Sequence, residues 1–248
     1  MNIDFEKYRK AIRETNPFDT YGKVSGVIGL LVEGRNPEAS IGEMCRVFPE
    51  GNGTGNTISA EVVGFRKENV LLMPFGDLDG VGPGCRILTT GKKSNVRVGR
   101  ALLGRVIDGR GNPIDDGGAI DAEGEYPVYA DPIKPLKSSR ITEPMDLGIR
   151  AINGLFSCGK GQRMGIFSGS GVGKSVLLGM IARNTRADIN VIGLVGERGR
   201  EVREFIENSL GKEGLARSVL VVATSDMHPL VRMRAAYVAT AIAEYFRD

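Results

Sequence analysis

The chain has 248 residues, 41% apolar and 25% charged, a balance that folds and excludes a disordered or fibrous protein; its length suits one large domain or two smaller ones, with two the better fit. Basic residues (33) and acidic residues (30) are spread along the whole length and leave a formal charge of +3, not the concentrated basic stripe of a nucleic-acid binder. Cys45, Cys85 and Cys158, with no CxxC pair and only His228 as a histidine, form neither a disulfide framework nor a zinc signature.

No apolar run approaches the ~20 residues that span a bilayer, and the charged start MNIDFEKYRKAIRETNP is expected to be a helix and not a secretory signal. A reducing cytoplasm is the expected compartment. From residue 3 to about 15, Phe5, Tyr8 and Ile12 fall at i, i+3 and i+7 among charged residues, which predicts a short amphipathic helix ended before Pro17. Residues 1–20 are this helix and its linker. Its apolar stripe has two open uses, packing on the protein's own next domain or docking a partner helix.

Residues 21–97 change character. The runs 23–32, 43–48, 58–65, 69–74 and 86–89 are short and β-prone, and NP, GNGTGN, RKEN and DGVGPG between them are turn chemistry. Five or six strands at this spacing predict a small closed β-barrel. The runs lack exposed aromatics interleaved with Lys and Arg, which base stacking requires, so the barrel reads as a structural or oligomer-organising module before a nucleic-acid reader.

Residues 98–147, rich in Gly and Pro, read as a connector, with a helix or strand entry followed by a Gly-rich turn at 98–113. From 148 to 248 strand and helix alternate: strands at 163–167, 190–195 and 218–223, helices at 174–184, about 200–209 and about 229–246. That alternation predicts a parallel sheet with covering helices. Ser225 and Asp226 are placed to cap the last helix, which has Pro229 as an early residue.

The predicted strand 163–167 runs into Ser168-Gly169-Ser170-Gly171-Val172-Gly173-Lys174-Ser175 and then into a helix-forming stretch from Val176, the context of a Walker A phosphate loop. Three glycines let successive N–H groups point inward, and the helix N-terminus adds partial positive charge, so the loop cradles phosphate oxygens. Lys174 is placed to bridge β- and γ-phosphates of ATP, and the Ser175 hydroxyl to ligate the accompanying Mg²⁺. The strict pattern wants glycine where Ser168 stands; serine fits if that position needs no positive φ.

The next strand, 190–195, ends in Gly196-Glu197-Arg198-Gly199-Arg200-Glu201. Strand ends of a parallel sheet gather on one edge, which puts Glu197 near the γ-phosphate, where a carboxylate can orient and polarise the attacking water. Arg198 is placed to hold phosphate oxygens or Glu197, while Arg200 and Glu201 read as a helix start or partners of neighbouring charges. Taken alone, these charges also suit a solvated helix start. Asp226 resembles a Walker B aspartate, but Thr224 and Ser225 separate it from the apolar run, so it reads as a cap. His228, with no Cys or His companion, reads as a loop or cap residue.

GIRAINGLFSCGKGQRMGIFSGSGVGKSVLLGMIAR, VIGLVGERGREVREFIE and ATSDMHPLVRMRAAYVATAIAEYFRD resemble the ATPases of bacterial flagellar protein export. These are type III secretion ATPases, similar in turn to the catalytic subunit of rotary ATP synthases, and the resemblance covers nearly the whole chain from the barrel onward. It implies a six-stranded barrel followed by a RecA-like P-loop domain, here incomplete, in a homohexameric ring with sites at subunit interfaces. It also implies a protein-transporting ATPase at the cytoplasmic face of the inner membrane, using ATP and Mg²⁺ with the proton-motive force to unfold or deliver export substrates. The implied partners are a stator-like regulatory protein on the N-terminal helix, the export gate, chaperones and substrates, with peripheral membrane association and no nucleic acid.

By position, Lys174 and Ser175 match the family's phosphate and magnesium residues, Glu197 its catalytic glutamate and Arg198 the neighbouring arginine. Members continue past EYFRD into a strand ending in the Walker B aspartate, a trans-acting arginine, an adenine-packing aromatic and a C-terminal helical domain. The chain is therefore expected to be a fragment that binds ATP without completing turnover alone. Two rival readings are a non-catalytic subunit of a rotary-type ATPase, against which Glu197 speaks, and a Rho-like RNA translocase, against which the near-neutral charge speaks.

Overall fold

The computed structural model describes residues 5, 6, 8, 9, 20–35, 38–49, 57–131, 133, 136, 139–169 and 171–248, and the chain forms two compact units, Met1–Ser94 and Asn95–Asp248. Of the predicted N-terminal helix, Phe5, Glu6, Tyr8 and Arg9 are helical, with a Glu6–Arg9 ion pair at 3.4 Å and both aromatics exposed. Ile12 lies outside the described residues, as do the NP turn at 36–37 and the GNGTGN segment at 51–56.

The first unit is a six-stranded closed barrel in the order β1-β2-β5-β4-β3-β6. Its strands are β1 (Tyr21–Ile28), β2 (Leu31–Arg35), β3 (Glu43–Phe48), β4 (Ile58–Arg66), β5 (Asn69–Pro74) and β6 (Arg86–Lys93). The predicted single run 23–32 is in fact a hairpin turned at Gly29 and Leu30, with Ile28 opposite Leu31. Continuous apolar sequence on both sides hides that turn from a reading of periodicity. Period-2 alternation points Val24, Val32, Val47, Val62, Val70, Leu72 and Ile87 into one core, and closure leaves no edge strand to cap. Bulges at Val24/Gly26, Glu43/Cys45 and Val62/Gly64 supply the bending that closure needs. Tyr21 and Phe48 meet edge to face at 5.9 Å, and the Arg86 guanidinium lies 5.1–5.2 Å from both rings, so the barrel's own cation already covers this aromatic pair.

In the second unit an antiparallel ribbon, β7 (Asn95–Val98) with β9 (Gly124–Pro127), flanks β8 (Val106–Asp108). Then come β10 (Pro144–Met145), α1 (Arg150–Leu155), β11 (Cys158–Gly159), α2 (Lys174–Asn184), β12 (Asn190–Val195), α3 (Gly199–Glu204), a π-helical turn (Phe205–Leu210), α4 (Gly211–Ala216), β13 (Ser218–Ala223) and α5 (Pro229–Arg247). The sheet is parallel, in the order β12-β13-β8. β13 is central and buried throughout, which matches its unbroken apolar sequence SVLVVA, and α5 covers β12 and β13.

Two features differ from the sequence reading. β8, from within the segment read as a connector, is a full member of the sheet. Its outer edge is closed by its own following turn, where Ile107 bridges Pro113 and Ile114 N–H donates to Val106 O. The predicted strand 163–167 has no ladder partner among the described residues, and Met164, Ile166 and Phe167 are exposed. An extended segment is a strand only when neighbours bond its backbone, and apolar sequence alone cannot provide that.

Candidate functional site

β12 and β13 run parallel in register, Val195 opposite Ala223, so their following loops leave the same sheet edge. Gly196 N–H donates to Ala223 O at 2.7 Å and Ser225 N–H to Glu197 O at 3.0 Å, which stitches the two loops together. Neither Ser225 nor Asp226 caps α5 with its side chain, contrary to expectation: the N-cap is His228 and no side-chain cap bond forms. The Asp226 carboxyl instead accepts from the Thr224 hydroxyl, which holds its pKa below the usual value.

The candidate phosphate loop enters α2 directly at Lys174. Gly171 (φ 79°) and Gly173 (φ 92°) adopt the left-handed region, and the space around both is open. Backbone conformation, not crowding, therefore demands glycine there. Ser168 has no positive φ, so serine is strain-free in the first position. Val172 and Val176 are exposed beside the loop. Ser170 lies outside the described residues.

Gly169, Gly171, Gly173, Lys174, Ser175 and Val176 line one wall of a cavity of about 380 Å³, and Glu197, Glu201 and Glu204 stand on the other. An adjoining recess of about 300 Å³ shares Lys174, Ser175, Glu197 and Glu201 and continues between Ile166, Leu178, Leu194 and Phe205. The chain thus brings a lysine, a serine hydroxyl and a helix N-terminus to face three carboxylates. A bare polyanion would be repelled by that second wall. An anion carrying its own divalent cation would not, and hydroxyl and carboxylate oxygens are the hard ligands Mg²⁺ takes. Among the described residues no group of three or more His, Cys, Asp or Glu is arranged to hold a metal by itself.

Arg198 does not line either space. It is the N-cap of α3, exposed, and its guanidinium reaches Glu201 at 3.7 Å. Glu201, read from the sequence as a helix start or the partner of a neighbouring charge, and Glu204, which the sequence reading did not single out, both line the cavity with the loop. Their signal was the 201, 204 spacing, i and i+3, which puts both on one face of the helix that follows the Glu197 loop.

Residues 148–248 match the nucleotide-binding domain of the ATP synthase alpha/beta family, and residues 24–91 match the beta-barrel domain of that family. The chain belongs to the ATP synthase alpha/beta family. Within it, the chain is similar to the flagellum-specific ATP synthase of Bacillus subtilis (strain 168), 54% identical over 239 residues, covering 96% of this chain and 54% of the relative. It is similar also to the type 3 secretion system ATPase of Xanthomonas euvesicatoria, 51% identical over 229 residues, covering 92% and 51%. The assembled ATPase EscN of the enteropathogenic E. coli type III secretion system superposes with a TM-score of 0.81 at 46% identity, covering 92% of this chain and 54% of EscN. EscN in complex with its central stalk EscO matches equally well. The chain spans about half the length of the curated relatives it matches. Both loops of the site fall inside the family's nucleotide-binding domain. No helix among the described residues is long and apolar enough to cross a membrane.

Proposed function

We propose that the chain binds Mg–ATP on the loop Ser168–Ser175 and belongs to an ATP-hydrolysing motor subunit of the flagellar or type III protein-export apparatus. The observation that carries this reading is the shared cavity of Lys174, Ser175 and Glu197. Loop N–H groups and the α2 N-terminus hold the phosphates, and the Lys174 ammonium adds a mobile positive charge to the terminal oxygens. Ser175 and Glu201, which line the same cavity, would hold the Mg²⁺ that comes with the nucleotide, and that ion would supply neutralisation of phosphate charge. Glu197, whose carbonyl is fixed by Ser225, turns its carboxylate to orient and deprotonate water.

In this reading the barrel and nucleotide unit repeat around a homohexameric ring at the cytoplasmic face of the inner membrane. The N-terminal helix meets a stator-like regulator, and the ring meets a stalk, the export gate, chaperones and substrates. The similarity to the assembled ATPase EscN and to EscN in complex with its central stalk EscO supports the assembly part. The test is titration of the chain with a fluorescent ATP analogue: Lys174→Ala should abolish binding, and unchanged affinity would sink the assignment.

A further inference from the structure

Helix α2 and the arm made of α3, the π-turn and α4 leave the site side by side. On α2, Ser175, Gly179 and Arg183 recur at i, i+4 and i+8; on the arm, Glu201, Phe205 and Ser209 recur at the same interval. From the near end the cavity runs between the two faces, lined by Ser175 on α2 and by Glu201, Phe205 and Ser209 on the arm. At the far end they touch, backbone to backbone. A Cβ built on Gly179 would lie 2.6 Å from the Ser209 carbonyl oxygen and 2.8 Å from its carbonyl carbon, so no side chain fits. Arg183 clasps the same point: its guanidinium donates to the Ser209 carbonyl, and its stem packs beside Gly214. The π-turn interrupts the regular ladder of the arm at this place, and such interruptions favour functional positions.

The separation between the phosphate-binding helix and the carboxylate-bearing arm is therefore set about one helical turn, ~6 Å, beyond Ser175. We infer that Gly179, held against Ser209 by the Arg183 clasp, is a positioning residue that fixes the distance across the cavity from Ser175 to Glu201, and so the grip on the divalent cation of the bound nucleotide. This rests on the reading of the loop as an Mg–ATP site. Mg²⁺ demands oxygen ligands at close to ~2.1 Å in near-ideal geometry, so it registers a small widening that phosphate binding tolerates. The phosphate cradle belongs wholly to residues 168–175 and moves with α2 as one piece. A methyl at position 179 wedges the two helices apart and costs the cation's share of the affinity, not the phosphates' share.

The experiment measures ATP affinity of the chain with Mg²⁺ and with a chelator, for wild type, Gly179→Ala, Arg183→Met and Lys174→Ala. Circular dichroism and thermal melting confirm that each variant is folded. Gly179→Ala and Arg183→Met should bind Mg²⁺-free ATP within about twofold of wild type, while the gain in affinity on adding Mg²⁺ falls roughly tenfold. If Gly179→Ala does not fold, Arg183→Met, which adds no bulk and keeps the stem, carries the test. A wild-type Mg²⁺ gain in the folded variants overturns the inference, as does a wild type with no gain at all. Binding that survives Lys174→Ala signals the separate failure of the phosphate-loop reading.

Discussion

The Ser225 N–H donates to the Glu197 carbonyl at 3.0 Å, so the loop after β13 holds the loop after β12 by backbone alone. The Glu197 side chain takes no part in that bond, and its chemistry can be changed without releasing the loop. In a protein spanning the whole length of the relatives, Glu197→Gln should keep nucleotide affinity within about threefold and lower hydrolysis by roughly 10²–10⁴-fold, the usual reach of a general base. Single-turnover hydrolysis measures it, and near-normal turnover would remove Glu197 from the base role.

Arg217 donates from Nη2 to Ala182 O at 2.9 Å and Thr185 O at 2.7 Å, closing the C-terminal end of α2 with a cation where the helix dipole is negative. Arg217→Ala leaves those carbonyls without this partner and should cost about 1–3 kcal/mol. Urea unfolding reads the loss; at saturating ATP part of it should be recovered, because the ligand binds only the folded state.

Asp115 accepts from Arg105 at 2.9 Å (Nε) and 2.6 Å (Nη2) and from the Val106 N–H at 2.7 Å, pinning the first residue of β8. The Arg105 hydrogen bond, aided by backbone N–H groups, pulls its carboxyl pKa well below the usual aspartate range, to about 2. A folded pKa below the unfolded one stabilises the fold above the unfolded value and loses that contribution as pH falls toward about 2. Asp115→Asn should destabilise by about 2 kcal/mol near neutrality. The difference between variant and wild type should narrow between about pH 4 and about pH 2. Unfolding midpoints across that range that keep a constant difference would contradict the assignment.

Burial, with the Glu43 carboxylate adding repulsion, pushes the Cys45 thiol up to about 12, and Cys85 and Cys158 are also buried. At about pH 8 the native chain should resist maleimide, with fewer than about one thiol in ten labelled over minutes, because the thiolate is the reactive form. Denaturant should release all three.

What was legible in the sequence was local. SGSGVGKS carries its own glycines, lysine and helix, so the loop could be placed without knowing any neighbour. The barrel was legible because turn residues punctuate strands whose inward side chains alternate. Pairing was not legible: Val106–Asp108 is only three residues long and joins the sheet through partners far along the chain, and apolar 163–167 promised a strand that nothing among the described residues pairs. Glu201 and Glu204 were visible as charges, but only the packing of the π-turn and α4 against α2 brings them to the cavity beside the loop. Asp226 had the composition of a cap, yet its carboxyl found Thr224 first.

The membership of β8 in the parallel sheet bears on how the chain is made. Val106 pairs with Leu220, roughly a hundred residues later, so this contact closes one of the longest loops in the molecule and belongs to the slow, high-contact-order part of folding. During synthesis β8 must wait, apolar and unpaired, until β13 has emerged. A recombinant piece begun at residue 148 would contain every residue of the nucleotide loop and still leave one edge of β13 bare, an invitation to aggregate that an expression screen of pieces begun at residues 95 and 148 would expose as a difference in soluble yield.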